Sequence, residues 1–317
     1  MHLIRFFLAL VLALGGASAA QAACVLTPTI AANLGSASSY AIRGGEIAQV
    51  SSDPALTCTG ALLSLSTANY ARASATSASG FTLRSASGEG IRYRLSADPN
   101  GTHSFNSGAS VDYFNAGVFS LLGISNQSDF VGKVYTSLSE MPNVAAGTYT
   151  DTVTMNWSWK VCSGIGLGGL CLGYTQGSGT TTLRITLVVT NDCRISAPPV
   201  YFGSAPLASQ FQPVTQTVAV DCTKGARFSI AFSEGGNGTA RPWRAMSDGA
   251  GHKLFYNIYR ADGITIWDPT NPLLDPRAGT GSTTPTLLQT YIARIDPAQT
   301  APPPGSYQDT LIMIVSF

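Results

Sequence analysis

The chain has 317 residues, of which only 11% are charged, with 18 basic and 17 acidic side chains and a net charge of +1. A balance this even, without clustered Lys and Arg, excludes the electrostatic footprint of a nucleic-acid binder, so no nucleic-acid partner is expected. Thirty-three glycines, abundant Ser and Thr and few charged helix formers exclude a helical bundle and point to many short strands joined by turns, an all-β fold.

In chain order, the first element is a leader. Arg5, an apolar run from Phe6 to Leu14, and Ala20, Gln21 and Ala22 have the form of a secretory signal peptide over residues 1–22. The apolar run is shorter than the roughly 20 residues of a membrane-spanning helix, and no later stretch reaches that length. Cleavage would leave 295 residues with 17 basic and 17 acidic side chains, enough for about two domains. Lipidation of Cys24 is the competing reading of this region; Gln21, three positions earlier where such sites want an apolar residue, disfavours it.

Six cysteines in an exported chain read as disulfides, and sequence order suggests Cys24–Cys58, Cys162–Cys171 and Cys193–Cys222. A zinc site competes poorly, since no Cys-x-x-Cys occurs and His103 and His252 stand far from any cysteine pair. No metal or cofactor is expected.

The chain contains itself twice. Gly147, Thr148, Tyr149, Thr150, Asp151, Thr152, Val153 matches Gly305, Ser306, Tyr307, Gln308, Asp309, Thr310, Leu311, and each copy opens on a cysteine pair about thirty residues apart followed by Thr59 or Thr223. Arg92 to Leu95 stands where Phe255 to Ile258 stands in the second copy. From Tyr149 to Val161 odd positions are apolar and even ones polar, apart from Asp151, which predicts a long strand with one buried face. A second strand is predicted over Thr181 to Thr190, with Leu183, Ile185, Leu187 and Val189 inward and Val188 breaking the pattern; the two should form a hairpin.

The second copy has its Tyr-x-Asp-Thr strand, Tyr307 to Phe317, and no strand after it. A sandwich that needs the last strand is then left with an open edge beside an apolar groove, and Leu311 to Phe317 is apolar on both faces, as where both are covered. Such an edge aggregates unless another chain supplies a strand. The competing reading is a second copy that closes with fewer strands. At the other end only Ala23 would precede Cys24 after cleavage, so the chain is expected to accept a strand and to have none to give, which places it at a fibre terminus.

Cys193, Phe202-Gly203, Val218 to Cys222 with Thr223 and Gly225, Arg244, Met246, Leu254 to Tyr259, Trp267, Gly305, Tyr307, Asp309, Thr310 and Phe317 together resemble the spore coat protein U domain over roughly residues 191 to 317. The family builds archaic, Csu-type chaperone-usher pili, and a chain of this layout is similar to their two-domain tip adhesins. The resemblance implies two immunoglobulin-like β-sandwiches, an adhesive N-terminal domain over 23–190 and a pilin domain over 191–317. The pilin domain would be held by a periplasmic chaperone, exported through an outer-membrane usher to the cell surface at the pilus tip, and completed by the donor strand of the adjacent pilin subunit. Leu311, Met313, Val315 and Phe317 would border the groove.

Attachment to an abiotic or host surface, and with it biofilm formation, would fall to apolar loops of the first domain. Ile165, Leu167 and Leu170 lie inside the Cys162–Cys171 ring, and Val118, Phe119, Leu121 and Leu122 form a second apolar segment that reads equally as a buried strand. Ala75 to Phe81 is a third candidate, on position more than chemistry. A lectin-like pocket around Tyr113, Phe114, Trp157 and Trp159 is the alternative, although the strand pattern places both tryptophans in the core. A pilin or coat subunit without its own ligand is a further alternative. An enzyme is not expected: His103 and His252 lie in Gly-rich turns, Asp262, Asp268 and Asp275 show no acid–base spacing, and no nucleophile elbow or phosphate loop occurs.

Overall fold

The computed structural model describes residues 23–59, 69–106, 108–114, 129–162, 166–167, 170–171, 173–237 and 242–317. The expected signal peptide lies outside the described residues. The fold is all-β, in two compact units. One comprises the chain through Gly35 with Ile47–Glu140 and Tyr149–Leu187, and the other Ser36–Glu46, Met141–Thr148 and Val188–Phe317.

Strands β1 (Ala23–Leu26), β2 (Thr29–Ser38), β3 (Val50–Ser51), β4 (Leu56–Thr59), β5 (Tyr70–Ser77), β6 (Thr82–Arg84) and β7 (Gly90–Ser96) open the first copy, and helix α1 (Ser39–Gly44), between β2 and β3 in sequence, falls in the second unit. They are followed by β8 (Val111–Asp112), β9 (Phe130–Gly132), β10 (Tyr135–Leu138), β11 (Gly147–Cys162), β12 (Gly166–Leu167), β13 (Leu170–Cys171) and β14 (Tyr174–Thr190). A three-stranded sheet runs β1-β4-β9, and a larger one runs β2-β14-β11-β6-β7-β10-β3, with β5 also paired to β11.

β11 buries Tyr149, Val153, Met155, Trp157, Trp159 and Val161 and turns its threonines outward, the alternation a half-buried strand requires. Its neighbour β14 buries Leu183, Ile185, Leu187 and Val189 and leaves Val188 outside. β14 begins at Tyr174, earlier than the Thr181 start expected from hydrophobic alternation. Residues 174–180 carry no apolar period; Gly177 is bare there because the Trp159 ring occupies the space a Cβ would need, 2.5 Å away.

Between β5 and β6 the chain leaves the ladder for a turn, since β5 meets β11 at Val153↔Ser77 and β6 meets it at Thr150↔Arg84. Ser77 Oγ accepts the N–H groups of Ser79 (3.2 Å) and Phe81 (2.9 Å) and closes that turn. Of the third candidate loop, Ala75 is therefore a buried strand residue, and Phe81 is half-buried with φ +57° and its ring edge-on to Tyr93.

The second unit contains β15 (Cys193–Ser196), β16 (Val214–Cys222), β17 (Ser229–Phe232), β18 (Arg244–Ser247), β19 (Lys253–Arg260), β20 (Leu273–Leu274), β21 (Leu287–Ile295) and β22 (Met313–Ser316). Its sheets run β15-β16-β21-β19-β18 and β20-β17-β22. Val218, Phe228, Ile230, Ile258, Trp267 and Tyr291 fill the space between them, and Trp267 donates its Nε1–H to Ile230 O at 2.7 Å. Arg244 is 3% exposed and donates to Phe232 O (3.1 Å), Ser233 O (2.8 Å) and Trp267 O (2.9 Å), which supplies strand-end carbonyls that no ladder reaches. Disulfides join Cys24 to Cys58, Cys162 to Cys171 and Cys193 to Cys222.

A buried carboxylate fixes the turn after β7. Asp98 is 0% exposed and accepts the N–H groups of Asn100 (3.0 Å), Thr102 (3.1 Å) and His103 (2.7 Å), with the His103 ring at 3.1 Å. Burial raises its pKa, but the His103 and Thr102 donors outweigh burial and hold it below its ordinary value. A carboxylate depressed in the folded state stabilises above its unfolded pKa of about 3.9 and loses that contribution as pH falls through the folded value. Urea unfolding of Asp98→Ala is therefore expected to show a loss on the order of 2 kcal/mol at pH 7. The deficit should begin to shrink below the unfolded pKa of about 3.9 and vanish only as pH passes the depressed folded value, where the wild-type carboxyl takes up its proton.

Candidate functional site

β22 is held on one side only. It pairs antiparallel with β17 through Phe232↔Met313, Ala231↔Ile314 and Ser229↔Ser316, and the Ser233 N–H donates to Ile312 O at 2.8 Å. Alternation along an antiparallel ladder therefore turns the backbone groups of Ile312 and Ile314 toward β17 and those of Met313 and Val315 away from it. Among the described residues no strand pairs with that second edge. In the first copy the corresponding edge, that of β11, is covered by β14.

The ladder is shorter than the Tyr307 to Phe317 strand expected from sequence. Gln308 instead makes an isolated bridge to Ser247 at the end of β18, with N···O distances of 2.9 and 3.0 Å in the two directions. The chain thus crosses from the sheet of β18 to that of β17 between Gln308 and Met313. β11 makes the same change of partner, from Arg84 at Thr150 to Ser77 at Val153.

An aspartate marks the change of partner in both copies. Asp309 accepts the hydroxyl of Tyr256 (2.7 Å), the N–H of Gly236 (2.9 Å) and the amide of Asn237 (3.1 Å). Asp151 accepts the hydroxyls of Tyr93 (2.7 Å) and Ser77 (2.7 Å). Burial, then the hydrogen bond to Asp309, push the Tyr256 phenol well above its ordinary pKa, so it remains a donor at any physiological pH.

Beside the segment that leads into β22 lies a cavity of about 610 Å³. Its walls are residues 197–202 and 306–311, and Phe232, Met246, Ile258 and Tyr291 form its floor. In the first copy the segment after the opening cysteine strand is β2, which pairs with β14. In the second copy the corresponding stretch, residues 197–206, holds no strand, and among the described residues no strand stands in the place of β14 for it to pair with. A second cavity of about 310 Å³ continues past Tyr307 between residues 203–208 and 301–305.

The Spore Coat Protein U domain family matches residues 10–156 and 179–314. The chain belongs to this family. Each copy carries one match, so both halves are members of the Spore Coat Protein U domain family despite the difference at their closing strands. No curated protein sequence matches the chain. Among solved structures, the chain is similar to one described as the CsuC–CsuE chaperone–tip adhesion subunit pre-assembly complex from archaic chaperone-usher Csu pili of Acinetobacter baumannii. Identity is 21%, coverage 93% of this chain and 100% of that one, and the TM-score 0.65, a likeness of fold. The CupB6 tip adhesin from Pseudomonas aeruginosa is 13% identical over 84% of this chain and 85% of its own, with a TM-score of 0.28, too low to bear on the fold.

Leu311, Met313 and Val315 are half-buried against the core of the second unit. Phe317 is 60% exposed, and Ile312 and Ile314 also face outward, so only the inner face of this apolar strand is covered. Val118, Phe119, Leu121, Leu122 and Ile165 lie outside the described residues. Gly166–Leu167 and Leu170–Cys171 pair as a short ladder inside the disulfide ring. Trp157 and Trp159 are buried, and Tyr113 stacks on Trp157 at 5.3 Å, which places the aromatic set of the lectin-like alternative in the interior. Asp262, Asp268 and Asp275 each cap a separate turn, while His103 and His252 pair with Asp98 and Asp248. Sequence reading missed the partners of Asp309; the Gly235-Gly236 pair was their only signal.

The free edge makes a residue-level expectation. Amide exchange followed by NMR should protect Ile314, bonded to β17, well above Met313 and Val315. Equal protection at the three positions would mean that the second edge is already paired.

Proposed function

We propose that the chain is the tip adhesin subunit of an archaic chaperone-usher pilus. The single observation that carries this reading is the β22 edge, unpaired among the described residues in the place that β14 fills in the first copy, with a cavity alongside residues 306–311 that lead into it. A periplasmic chaperone would cover the edge during export, the outer-membrane usher would pass the subunit to the cell surface, and the adjacent pilin subunit would then donate the permanent strand. Support for a chaperone comes from the family and from the fold likeness to an adhesion subunit described in complex with one.

On this reading residues 191–317 form the pilin domain and residues 23–190 the adhesive one. Apolar side chains at Ile165, Leu167 and Leu170, and at Val118, Phe119, Leu121 and Leu122, would make the contact with an abiotic or host surface and so promote biofilm formation. Each buried apolar side chain contributes roughly 1.5–3 kcal/mol, and many pili acting together would make weak contacts durable.

β14 shows what the missing strand looks like: four inward apolar residues, Leu183, Ile185, Leu187 and Val189, on alternate positions. The full chain extended after Phe317 by a short turn and a repeat of the Thr181–Thr190 sequence should fill its own cavity. Burial of four such side chains is worth roughly 6–12 kcal/mol before ordering costs, so the lowest melting transition should rise by at least about 10 °C. An unchanged melting profile would refute the acceptor groove. Separately, Ile165→Ser, Leu167→Ser and Leu170→Ser combined should abolish attachment of piliated cells to polystyrene without reducing pilus number; undiminished attachment would remove this loop from the adhesive role.

A further inference from the structure

The groove wall from Tyr307 to Leu311 flanks the apolar cavity with half-buried Tyr307 and Leu311 side chains. Nothing in the hydrophobic effect keeps such a wall apart from the opposite one, since closing the gap removes apolar surface from water. In the first copy the equivalent stretch lies within β11, with β5 and β6 on one side and β14 on the other. In the second copy backbone bonds bracket the stretch at Gln308, to Ser247, and at Ile312, to Ser233.

Its middle is tied by a carboxylate. At the cavity wall, Asp309 enters a cradle made by Gly236, Asn237 and the hydroxyl of Tyr256, which also lines the cavity and is delivered from β19, the neighbour of β18 in its sheet. The cradle is built for it: Gly235 has φ +88°, and a Cβ there would collide with the Asp309 carboxylate. Asn237 Nδ2 also donates to Gln308 O at 3.2 Å, which fixes the same wall one residue earlier.

We infer that Asp309 is a positioning residue for the groove, which through Tyr256 pins the Tyr307–Leu311 wall to β19 at the cavity floor and keeps the strand site open before a strand arrives. The inference rests on the reading of the groove as a strand acceptor. Its physical content is pre-organisation: an acceptor that is competent only part of the time binds more weakly by that fraction. Asp151 holds the same place in the first copy, but there β14 already fixes the strand, so the same bond there has no site to hold open.

The test uses the full chain and a fluorescent synthetic peptide of the Thr181–Thr190 sequence, with affinity and association rate read by anisotropy. Tyr256→Phe, which keeps the buried ring and removes one hydroxyl, and Asp309→Ala should each weaken binding and slow association by about tenfold. Tyr93→Phe, in the first copy, should change neither. In the chain with the tethered strand, Tyr256→Phe should lower the melting temperature less than in the open chain, whereas a merely structural hydrogen bond would cost the same in both. Wild-type binding matched by the variants, or equal melting losses in the open and tethered chains, would overturn the positioning role and leave the groove intact. A wild-type chain that does not bind the peptide would overturn the groove itself, and the inference with it. Should Asp309→Ala fail to fold, Tyr256→Phe decides the question alone.

Discussion

A backbone N–H or C=O at a sheet edge must be satisfied by water or by another strand, and an edge set beside apolar surface is badly served by water. That constraint acts on both copies of this chain and is met in different ways. In the first, β14 runs along β11 and buries Leu183, Ile185, Leu187 and Val189 while it completes the ladder. In the second, Met313 and Val315 turn their backbone groups away from β17 and no described strand meets them. Residues 197–206 hold no strand there either, whereas the corresponding β2 of the first copy pairs with β14.

The two copies act as each other's control. Both change strand partner at an aspartate, both bring a tyrosine hydroxyl to it at 2.7 Å, and both open on a disulfide-linked strand pair.

Much of this was legible in the chain because period-two alternation is set by covalent geometry and needs no tertiary knowledge. β11 could be read from Tyr149 to Val161 for that reason, and the core positions of Trp157 and Trp159 with it. The first half of β14 could not, since its Gly and Ser residues leave room for Trp159 and carry no period. β22 was read too long because Tyr307 to Ile312 has strand composition while its partner changes midway, a fact that lives only in three dimensions. The Tyr-x-Asp-Thr motif was visible as a repeat, but its purpose was hidden because the tyrosine that meets the aspartate is not the one in the motif.

The outward face of the closing strand carries the comparison one step further. Thr154, Asn156 and Ser158 point away from the core on β11, where the second copy has Ile312, Ile314 and Ser316. Ile312 is 66% exposed and Phe317 60%. A strand that is polar outside tolerates water once its edge is paired, whereas one that is apolar on both faces and open at its edge is a hazard on every side but one. On the tip-adhesin reading, another chain shields this hazard from synthesis to assembly. Under the proposed reading the chaperone, and then the neighbouring subunit, must therefore cover the outer face near Ile312 and Ile314 as well as the edge. A bare strand slipped into the groove would satisfy the ladder and leave those side chains in water.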